Sequence, residues 1–545
     1  MRAICRLRTA VSLLALACFW LLSASCLSAA PADQLGKVNF PTICSGEVQP
    51  TLERGLALLH SFQYKESEQT FTEAVTHEPK CAIAHWGKAM ALYHQLCDFP
   101  QETTLKEGRK EVEKAQKIHP ASAHEEGFIA AAAAFFQKSR MSHTDRIKAY
   151  SAALGRFYLE NPEDSEIGSF YALSLVALAE EDVDSMANRK RAIAILNPLL
   201  QNYPDHPGIA HYLIHAADHP ELASQGLEAA RRYAAIAPDS SHAIHMPSHI
   251  FVRLGLWQDS ITSNIAANAS AAHSAEMHLV EAHYQTHAMD FLSYSYLQSG
   301  QEAKAREVIE HTGHIVGATP ERQARDRDYL SARTALELHR WKDAAELPLP
   351  ADRKNWDDTT VWARAIGAAR SGDIPAAEAA VKELAANVAE REKRSRKEGY
   401  GVSSEKASDL SEAEAWLAFA KGKSDEALAE LRAAADHEDK NGGESVGIPA
   451  REMLADMLFE VKRPVDALTE YKASLKNSPN RFDSLIGAMR AAASVNTPEM
   501  HAAAEAYLLQ FMTCCGLGGD RPEIKEAEKY VSFHQQEPAR QAVEQ

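Results

Sequence analysis

Short motifs that mark common enzyme chemistries are missing from this 545-residue sequence. It has no P-loop, no GxGxxG fingerprint after a strand, no GxSxG nucleophile elbow and no HExxH motif. The glycine-rich run GLGGD at 516–520 predicts a helix end followed by a loop, because glycine so often follows the last turn of a helix. No reaction can therefore be read from a short motif.

Cysteine is also scarce, with eight residues in the whole chain. Five lie beyond the N-terminal segment: Cys44, Cys81, Cys97, Cys514 and Cys515. This number is too small for a disulfide scaffold in a chain of this length, so the fold must rest on its hydrophobic core. Because five is odd, at least one thiol stays unpaired or pairs between chains.

Basic charge and long apolar runs are lacking as well. The formal net charge of -17 argues against binding to nucleic acids or to anionic membrane surfaces, since both require a basic face. After residue 32, no apolar run approaches the ~20 residues needed to cross a bilayer. We expect neither a nucleic-acid partner nor a membrane span.

The N-terminal segment is the exception to this pattern. Three arginines in the first eight residues precede an apolar run and then small residues. This layout is typical of a secretory signal peptide, and the A-x-A pattern at 30–32 predicts cleavage after Ala32. Cys26 allows a lipoprotein anchor as the alternative, although Ser23 stands where a lipobox has leucine. The sequence thus predicts a signal peptide over 1–32 and export to the periplasm or the extracellular space.

The rest of the chain is repetitive and helical. Alanine and leucine are abundant, and alternating strand-like patterns are rare. Recurring markers include an apolar residue, a small or apolar residue three positions later and a proline five further on, as in Phe71, Ala74 and Pro79. A second marker is a glycine followed five residues later by a small residue, as in Gly255 and Ser260. Both markers indicate stacked helix–turn–helix units.

These residues resemble the tetratricopeptide repeat, a 34-residue helix–turn–helix unit, most fully in VGIPAREMLADMLFEVKRPVDALTEYKASLKNSP at 446–479. The chain also resembles exported bacterial repeat proteins that carry an HMPSHIF-like motif. The resemblance implies an all-α, right-handed helix-pair solenoid of ten to thirteen pairs, with irregular and partly lengthened repeats. It further implies that each unit mainly contacts its neighbours, and that the first helix of each pair lines a concave groove.

The predicted organisation has four parts after the signal peptide. A short N-terminal segment over 33–44 leads into an N-terminal solenoid with a histidine-rich groove over 45–345. C-terminal repeats follow over 346–513, and a tail with a short helix occupies 514–545. Cys44 and Cys81 each precede a leading helix at the same end of the stack, which predicts a disulfide between them. Cys514 and Cys515 are expected to be two separate thiols at a helix end.

Histidine is concentrated in one stretch, since eleven of the 24 histidines lie between Tyr203 and Asp290. They fall at helical intervals on three predicted first helices over 203–217, 241–254 and 282–297, and these helices should be neighbours. Pro247 is expected to interrupt the middle helix and to disfavour α geometry at Met246. Such an irregularity beside several histidines is typical of a functional site.

We expect these histidines to converge on the concave wall, with two carboxylates orienting the imidazoles. The candidate groove residues are His211, His215, Asp218, His219, His242, His245, His249, His283, His287 and Asp290. Six of the histidines are the candidate metal ligands, namely His211, His215, His245, His249, His283 and His287. An all-imidazole site with carboxylate support suits zinc, copper or iron. A metal-free histidine network and unconnected packing roles remain the alternatives.

Two functions are compatible with these features. The first is an exported binding module whose groove holds a protein or peptide segment, which is what the resemblance implies. The second is a metal-dependent enzyme or metal carrier built around the histidines at 211–287. We rank the binding module first because it requires no cofactor, and a fold cannot decide between them.

Overall fold

The computed structural model describes residues 34–96, 100–118, 122–138, 140–276, 282–349, 358–398, 408–515 and 518–530. The predicted signal peptide, Cys97 and most of the predicted C-terminal tail lie outside these residues. Within the described tail, residues 522–530 are helical.

The described chain is all-α, with twenty-five α-helices besides the helical segment 522–530 and no strand among the described residues. In chain order the helices are α1 (Gln49–His60), α2 (Tyr64–His77), α3 (Ala82–Ala91), α4 (Glu102–Ile118), α5 (Ala123–Phe136), α6 (His143–Glu160), α7 (Ser165–Glu180), α8 (Ser185–Asn202), α9 (Pro207–Ala217), α10 (Ala223–Ile236), α11 (Ser241–His245), α12 (Pro247–Arg253), α13 (Trp257–Glu276), α14 (Ala282–Gln298), α15 (Glu302–His311), α16 (Pro320–Glu337), α17 (Trp341–Ala345), α18 (Thr359–Ser371), α19 (Ile374–Glu398), α20 (Ser408–Ala420), α21 (Ser424–Asn441), α22 (Ala450–Glu460), α23 (Pro464–Asn477), α24 (Phe482–Ala493) and α25 (Pro498–Cys514).

The helices form a solenoid of helix pairs, as predicted. Successive helices pack on each other, and counting α11 with α12 as one first helix gives twelve pairs in the described chain. First helices also contact the first helices of the next unit, for example α1 with α3 and α9 with α12. Aromatic rings fill the close contacts that glycine leaves open, since a Cβ atom on Gly487 would lie 2.4 Å from the Tyr471 ring. The predicted helix-pair solenoid is confirmed.

The solenoid also has contacts between distant units, which the expectation of contacts mainly between neighbours did not include. Helix α1 of the first unit contacts α9 of the fifth, and α14 of the seventh contacts α24 of the twelfth. The inner wall therefore closes on itself at two places, because the superhelix is tight enough to bring non-consecutive first helices together. Around the histidine helices the concave surface is a packed interior instead of an open groove.

The middle of the chain is tied to the C-terminal repeats by polar contacts. Arg253 donates from Nη1 to the carbonyl oxygen of Gly442 at 2.7 Å and from Nη2 to that of Gly443 at 2.8 Å. Trp257 Nε1 donates to the carbonyl oxygen of Asn480 at 3.0 Å. One hydrophobic core extends from Phe40 to Phe251 and a second from Val252 to Ala527. The predicted division at residue 345 stays a prediction.

Two local expectations on the histidine helices need correction. Helix α9 begins at Pro207, not at Tyr203, because the side chain of His206 caps the helix by accepting from the backbone N–H of Ile209. Pro247 does split the second histidine helix into α11 and α12, but Met246 keeps helical angles (φ -52°, ψ -34°). Proline is tolerated there because it occupies the first position of α12, where a helix needs no N–H donor.

The cysteines that the structure describes are paired. Cys44 and Cys81 are disulfide-bonded, with their Cα atoms 5.3 Å apart. Cys514 and Cys515 are also joined to each other, so the expectation of two separate thiols was wrong. Helix α25 ends between these two residues, and Cys515 leaves helical angles at φ -131°, which lets adjacent side chains meet.

None of the described helices is long and apolar enough to span a membrane.

Candidate metal centre

Six histidines from three neighbouring first helices lie in two groups of three. The first histidine trio consists of His211 and His215 on α9 and His242 on α11; the second consists of His245 on α11, His249 on α12 and His287 on α14. Within each trio, one ring nitrogen from every histidine lies within 4.8 Å of the others. The segment formed by α11 and α12 thus supplies one histidine to the first trio and two to the second.

In the first trio the ring nitrogens gather around His211. The Nε2 atoms of His215 and His242 each lie 3.1 Å from His211 Nε2. His211 Nδ1 is 2.6 Å from the carbonyl oxygen of His60, which can only accept, so Nδ1 carries the proton of the neutral ring. His211 Nε2 is then an unprotonated nitrogen with a single lone pair facing two other imidazoles, and it can accept a hydrogen bond from only one of them.

In the second trio, hydrogen bonds to residues outside the trio fix the ring orientations of His245 and His249. His249 Nδ1 donates to Asp218 Oδ2 at 2.8 Å, and His245 Nδ1 donates to Asn264 Oδ1 at 2.7 Å. The amide of Asn264 is oriented in turn, since its Nδ2 donates to the carbonyl oxygen of Ser260. With both rings neutral, His245 and His249 place two unprotonated Nε2 atoms 3.2 Å apart.

This spacing matters because two lone pairs at such a distance repel each other unless a cation lies between them. Nitrogens bound tetrahedrally to a zinc ion at about 2.0–2.1 Å are about 3.3 Å from one another. The measured Nε2–Nε2 distances of 3.1–3.2 Å are close to that value. In addition, His242 Nδ1 is buried with no hydrogen-bond partner among the described residues.

Burial keeps five of these six imidazoles neutral. Desolvation, followed by the neighbouring histidines, holds the pKa values of His211, His215, His242 and His245 well below the usual range. Burial and then His249 lower the pKa of His287 to about 3. Neutral imidazole is the form that ligates metals, so the arrangement does not have to release protons before binding an ion.

Phe62, which sequence analysis did not single out, supports the first trio. It is buried, and its ring centre lies 4.3 Å from that of His211, 5.5 Å from that of His215 and 5.6 Å from that of His242. Its φ of +56° is the left-handed conformation that the corresponding helix-to-helix turn supplies with glycine in other repeats, such as Gly255. A buried aromatic residue in this strained conformation indicates that the turn is held in place by its contacts with the histidines.

A third cluster, His60, Glu166 and His206, has metal-ligand composition but a different hydrogen-bond pattern. The Glu166 carboxylate accepts from His60 Nε2 at 2.7 Å and from His206 Nε2 at 2.8 Å, and His60 Nδ1 contacts the Tyr212 hydroxyl at 2.8 Å. Burial raises the pKa of Glu166, but the two histidines outweigh it and hold the pKa below its usual value. Each ring nitrogen has a hydrogen-bond partner, so this cluster is a satisfied polar network that positions the His60 carbonyl.

The two predicted carboxylates have different roles. Asp218 accepts from His249, from Arg253 Nε at 2.8 Å and from Ser445 Oγ at 3.0 Å, which connects the second trio to the C-terminal repeats. Burial raises the pKa of Asp218, but Arg253 and His249 outweigh it and hold the pKa well below its usual value. Asp290 instead accepts from Arg333 and Tyr329, and neither of its oxygens has a histidine partner in the described chain.

Five of the six candidate metal ligands lie in the trios, and one does not. His283 is exposed one turn before His287 and belongs to neither trio, whereas His242, expected only in the groove, takes the sixth position. The spacing of His242, His245 and His249 at i, i+3 and i+7 was a signal for this role. His219 lies outside both trios, where its Nδ1 accepts from the backbone N–H of Glu221.

No protein-family model matches the sequence, and no curated protein matches it. Solved structures similar to this chain include yeast Tom70, at 11% identity and a TM-score of 0.32, covering 90% of this chain and 96% of that one. The APC/C hetero-tetramer Cut9–Hcn1 gives 14% identity and a TM-score of 0.35, covering 82% and 76%. The TPR domain of P58(IPK) gives 12% and 0.22, covering 82% and 98%. At these identities the likeness is one of helical-repeat fold alone.

Proposed function

We propose that this protein binds transition-metal ions at the two histidine trios. The observation that carries the proposal is the contact between His245 Nε2 and His249 Nε2 at 3.2 Å, with both Nδ1 protons committed to Asn264 and Asp218. A hydrogen bond joins these two nitrogens only when one of the rings carries a second proton, whereas a metal ion satisfies the lone pairs of both neutral rings. The first trio supports the same conclusion, because His211 Nε2 faces two imidazoles with one lone pair.

The ligand set favours an ion of intermediate softness. Imidazole nitrogens suit zinc, copper and iron, whereas magnesium and calcium prefer oxygen ligands. Three protein ligands leave one coordination position open, which is the arrangement of catalytic metal sites. The same opening also suits a carrier that hands its ion to another protein, so a metal-dependent enzyme and a metal carrier are both served by this geometry.

Metal binding is tested by loading the purified full chain after chelator treatment. The protein is incubated with Zn²⁺ or Cu²⁺, desalted and analysed for bound metal by mass spectrometry, and we expect close to two ions per chain. The double variant His215→Gln with His249→Gln removes one ligand from each trio and should lose most of this metal. Its far-UV circular dichroism should stay close to that of the unchanged protein.

A matched pair of single variants on α14 makes the test specific. His287→Gln should weaken binding at the second trio, whereas His283→Gln, one turn away and outside both trios, should weaken it much less. Less than about 0.2 ion per chain in the unchanged protein, or equal losses in His283→Gln and His287→Gln, would refute the proposal.

Protein or peptide binding, which sequence analysis ranked first, stays a prediction for the rest of the inner surface. The histidine wall itself is not available to a peptide, because His211, His242 and His245 are buried. This is why the observed geometry favours the metal.

We also propose that the protein works outside the cytoplasm, in the periplasm or the extracellular space. The disulfide between Cys44 and Cys81 supports this location, since such bonds persist in oxidising compartments. Mass spectrometry of the protein from the exported fraction of an expressing bacterial host should give a mature N terminus at Asp33. An intact chain beginning at Met1 in the cytoplasm would contradict export.

A further inference from the structure

We infer that the two histidine trios form one binuclear metal centre whose two ions share a small anionic ligand, such as hydroxide. This inference rests on the proposed function and adds to it the nuclearity of the centre and the chemical class of its bridging ligand. It follows from the distance between the trios, from the charge of their ligands and from the walls that enclose them.

The distance between the trios is short at two places. The ring centres of His215 and His249 are 6.3 Å apart, and so are those of His242 and His245. Each of these pairs joins a member of the first trio to a member of the second. An ion bound at 2.0–2.1 Å from a ring nitrogen lies about 3 Å from the centre of that ring. Ions on the facing sides of two rings whose centres are 6.3 Å apart are therefore close enough to share a single ligand.

Charge is the second argument. The six ligands are all imidazoles, which carry no negative charge, and the one carboxylate bonded to them among the described residues is Asp218, through His249. The first trio is anchored by a neutral carbonyl group at His60. Two divalent cations would thus bring four positive charges into a buried site that offers one negative charge. A small anion between the ions reduces their mutual repulsion and completes the position that each trio leaves open.

The walls of the site explain why the bridging ligand should be small. Phe62 packs against all three histidines of the first trio. Phe291 packs in the same way against the second trio, with its ring centre 4.9 Å from His245, 4.5 Å from His249 and 5.2 Å from His287. Tyr284 closes a further side, because its ring centre lies 5.6 Å from His242 while its hydroxyl donates to the carbonyl oxygen of Phe62.

Copper is the probe that tests this inference, because two neighbouring Cu²⁺ ions couple magnetically. The full-length protein is loaded with two equivalents of Cu²⁺, its copper content is measured by mass spectrometry, and its unpaired spins are counted by electron paramagnetic resonance. We expect two copper ions per chain with a spin count at least twofold below the copper content, or a half-field signal. Two double variants each retain one trio and should bind one copper ion with full spin count. His215→Gln with His242→Gln retains the second trio, and His249→Gln with His287→Gln retains the first.

The outcomes separate this inference from the proposed function. Two bound copper ions with full spin count and no half-field signal would overturn the shared centre and leave metal binding intact. One copper ion bound in place of two would likewise overturn it, since a single ion would then be shared by the trios. Copper content near zero would refute both. Circular dichroism of each variant establishes that it is folded, and a variant that is not folded is replaced by the matching His→Asn pair.

Discussion

The most informative single substitution is Asp218→Asn. Asp218 fixes the tautomer of His249 by accepting its Nδ1 proton at 2.8 Å while its other oxygen accepts from Arg253 Nε, also at 2.8 Å. An asparagine offers one oxygen and one NH₂ group, and the charge of Arg253 should claim the oxygen. The NH₂ group then faces His249 Nδ1, which has to accept, so the proton moves to Nε2. A protonated Nε2 cannot ligate a metal.

The expected loss of affinity follows from the position of Asp218 behind a ligand. Removing a carboxylate that orients a metal-binding histidine costs about 10–100-fold in affinity, which is roughly 1.4–2.7 kcal/mol. Stability should fall as well, by about 2 kcal/mol, because the buried guanidinium of Arg253 loses a charged acceptor. No histidine of the first trio is hydrogen-bonded to Asp218 in the described structure, so its affinity should fall less than that of the second trio.

Asp290→Asn is the matched control. Asp290 is also partly buried and also accepts from an arginine, Arg333, but its partners do not include a histidine. Asp290→Asn should cost less stability than Asp218→Asn, because burial raises the pKa of Asp290. Only Asp218→Asn should lower the affinity of the second trio. Competition with a chromophoric Zn²⁺ chelator gives the two affinities, and thermal unfolding gives the stabilities. Equal affinity losses in both variants, or no loss in Asp218→Asn, would refute the role assigned to this carboxylate.

Two further predictions concern buried charges outside the centre. Burial raises the pKa of Glu438 to about 7. The free-energy cost of ionising this carboxyl in the folded protein therefore grows between pH 4.5 and 7. Glu438→Gln should then stabilise the protein by about 3 kcal/mol at pH 8 and have no effect at pH 4, and equal urea midpoints relative to the unchanged protein at both pH values would contradict this. Arg481 is fully buried between Glu337 and Glu452, and Arg481→Met should cost about 3–5 kcal/mol at pH 7 because two carboxylates lose their cation. The loss should shrink at pH 5, because burial raises the pKa of Glu337 and favours its protonated form as the pH falls. Urea unfolding that shows a loss below 1 kcal/mol at pH 7 would be inconsistent with this network.

Helical periodicity was sufficient to predict the architecture and the neighbourhood of the histidine helices. The intervals within α9 and across α11 and α12 place side chains on one face, and helix pairing makes the three histidine helices neighbours. The exchange of His283 for His242 shows the limit of this reasoning. His242 lies at helical spacing from His245 on α11, and His283 lies at helical spacing from His287 on α14. The rotation of each helix about its own axis decides whether the imidazole points into a trio.

The residues that orient the histidines could not be predicted from the sequence, for a different reason. Asn264 lies on a second helix, and the His60 carbonyl comes from a unit about 150 residues earlier in the chain. Phe62 stands where several other units have glycine, so its local pattern indicates only an unfavourable turn residue. These contacts arise from the closure of α1 on α9, which depends on the small rotation between successive units, accumulated over four of them. The spacing of residues within a single helix does not predict this accumulated rotation.

The closure of the inner wall changes how this array should come apart. In an open repeat array the terminal units fray first, and unfolding then travels inward one unit at a time. Here the first unit is attached to the fifth, because the turn after α1 receives bonds from His211 on α9 and Tyr284 on α14. Losing that terminal unit would expose the first trio, and disruption of the Arg253 contacts with Gly442 and Gly443 would release the second. The terminal units of the described array are therefore held by distant units and should not fray independently. We expect the two trios and the first helices around them to unfold in one cooperative transition.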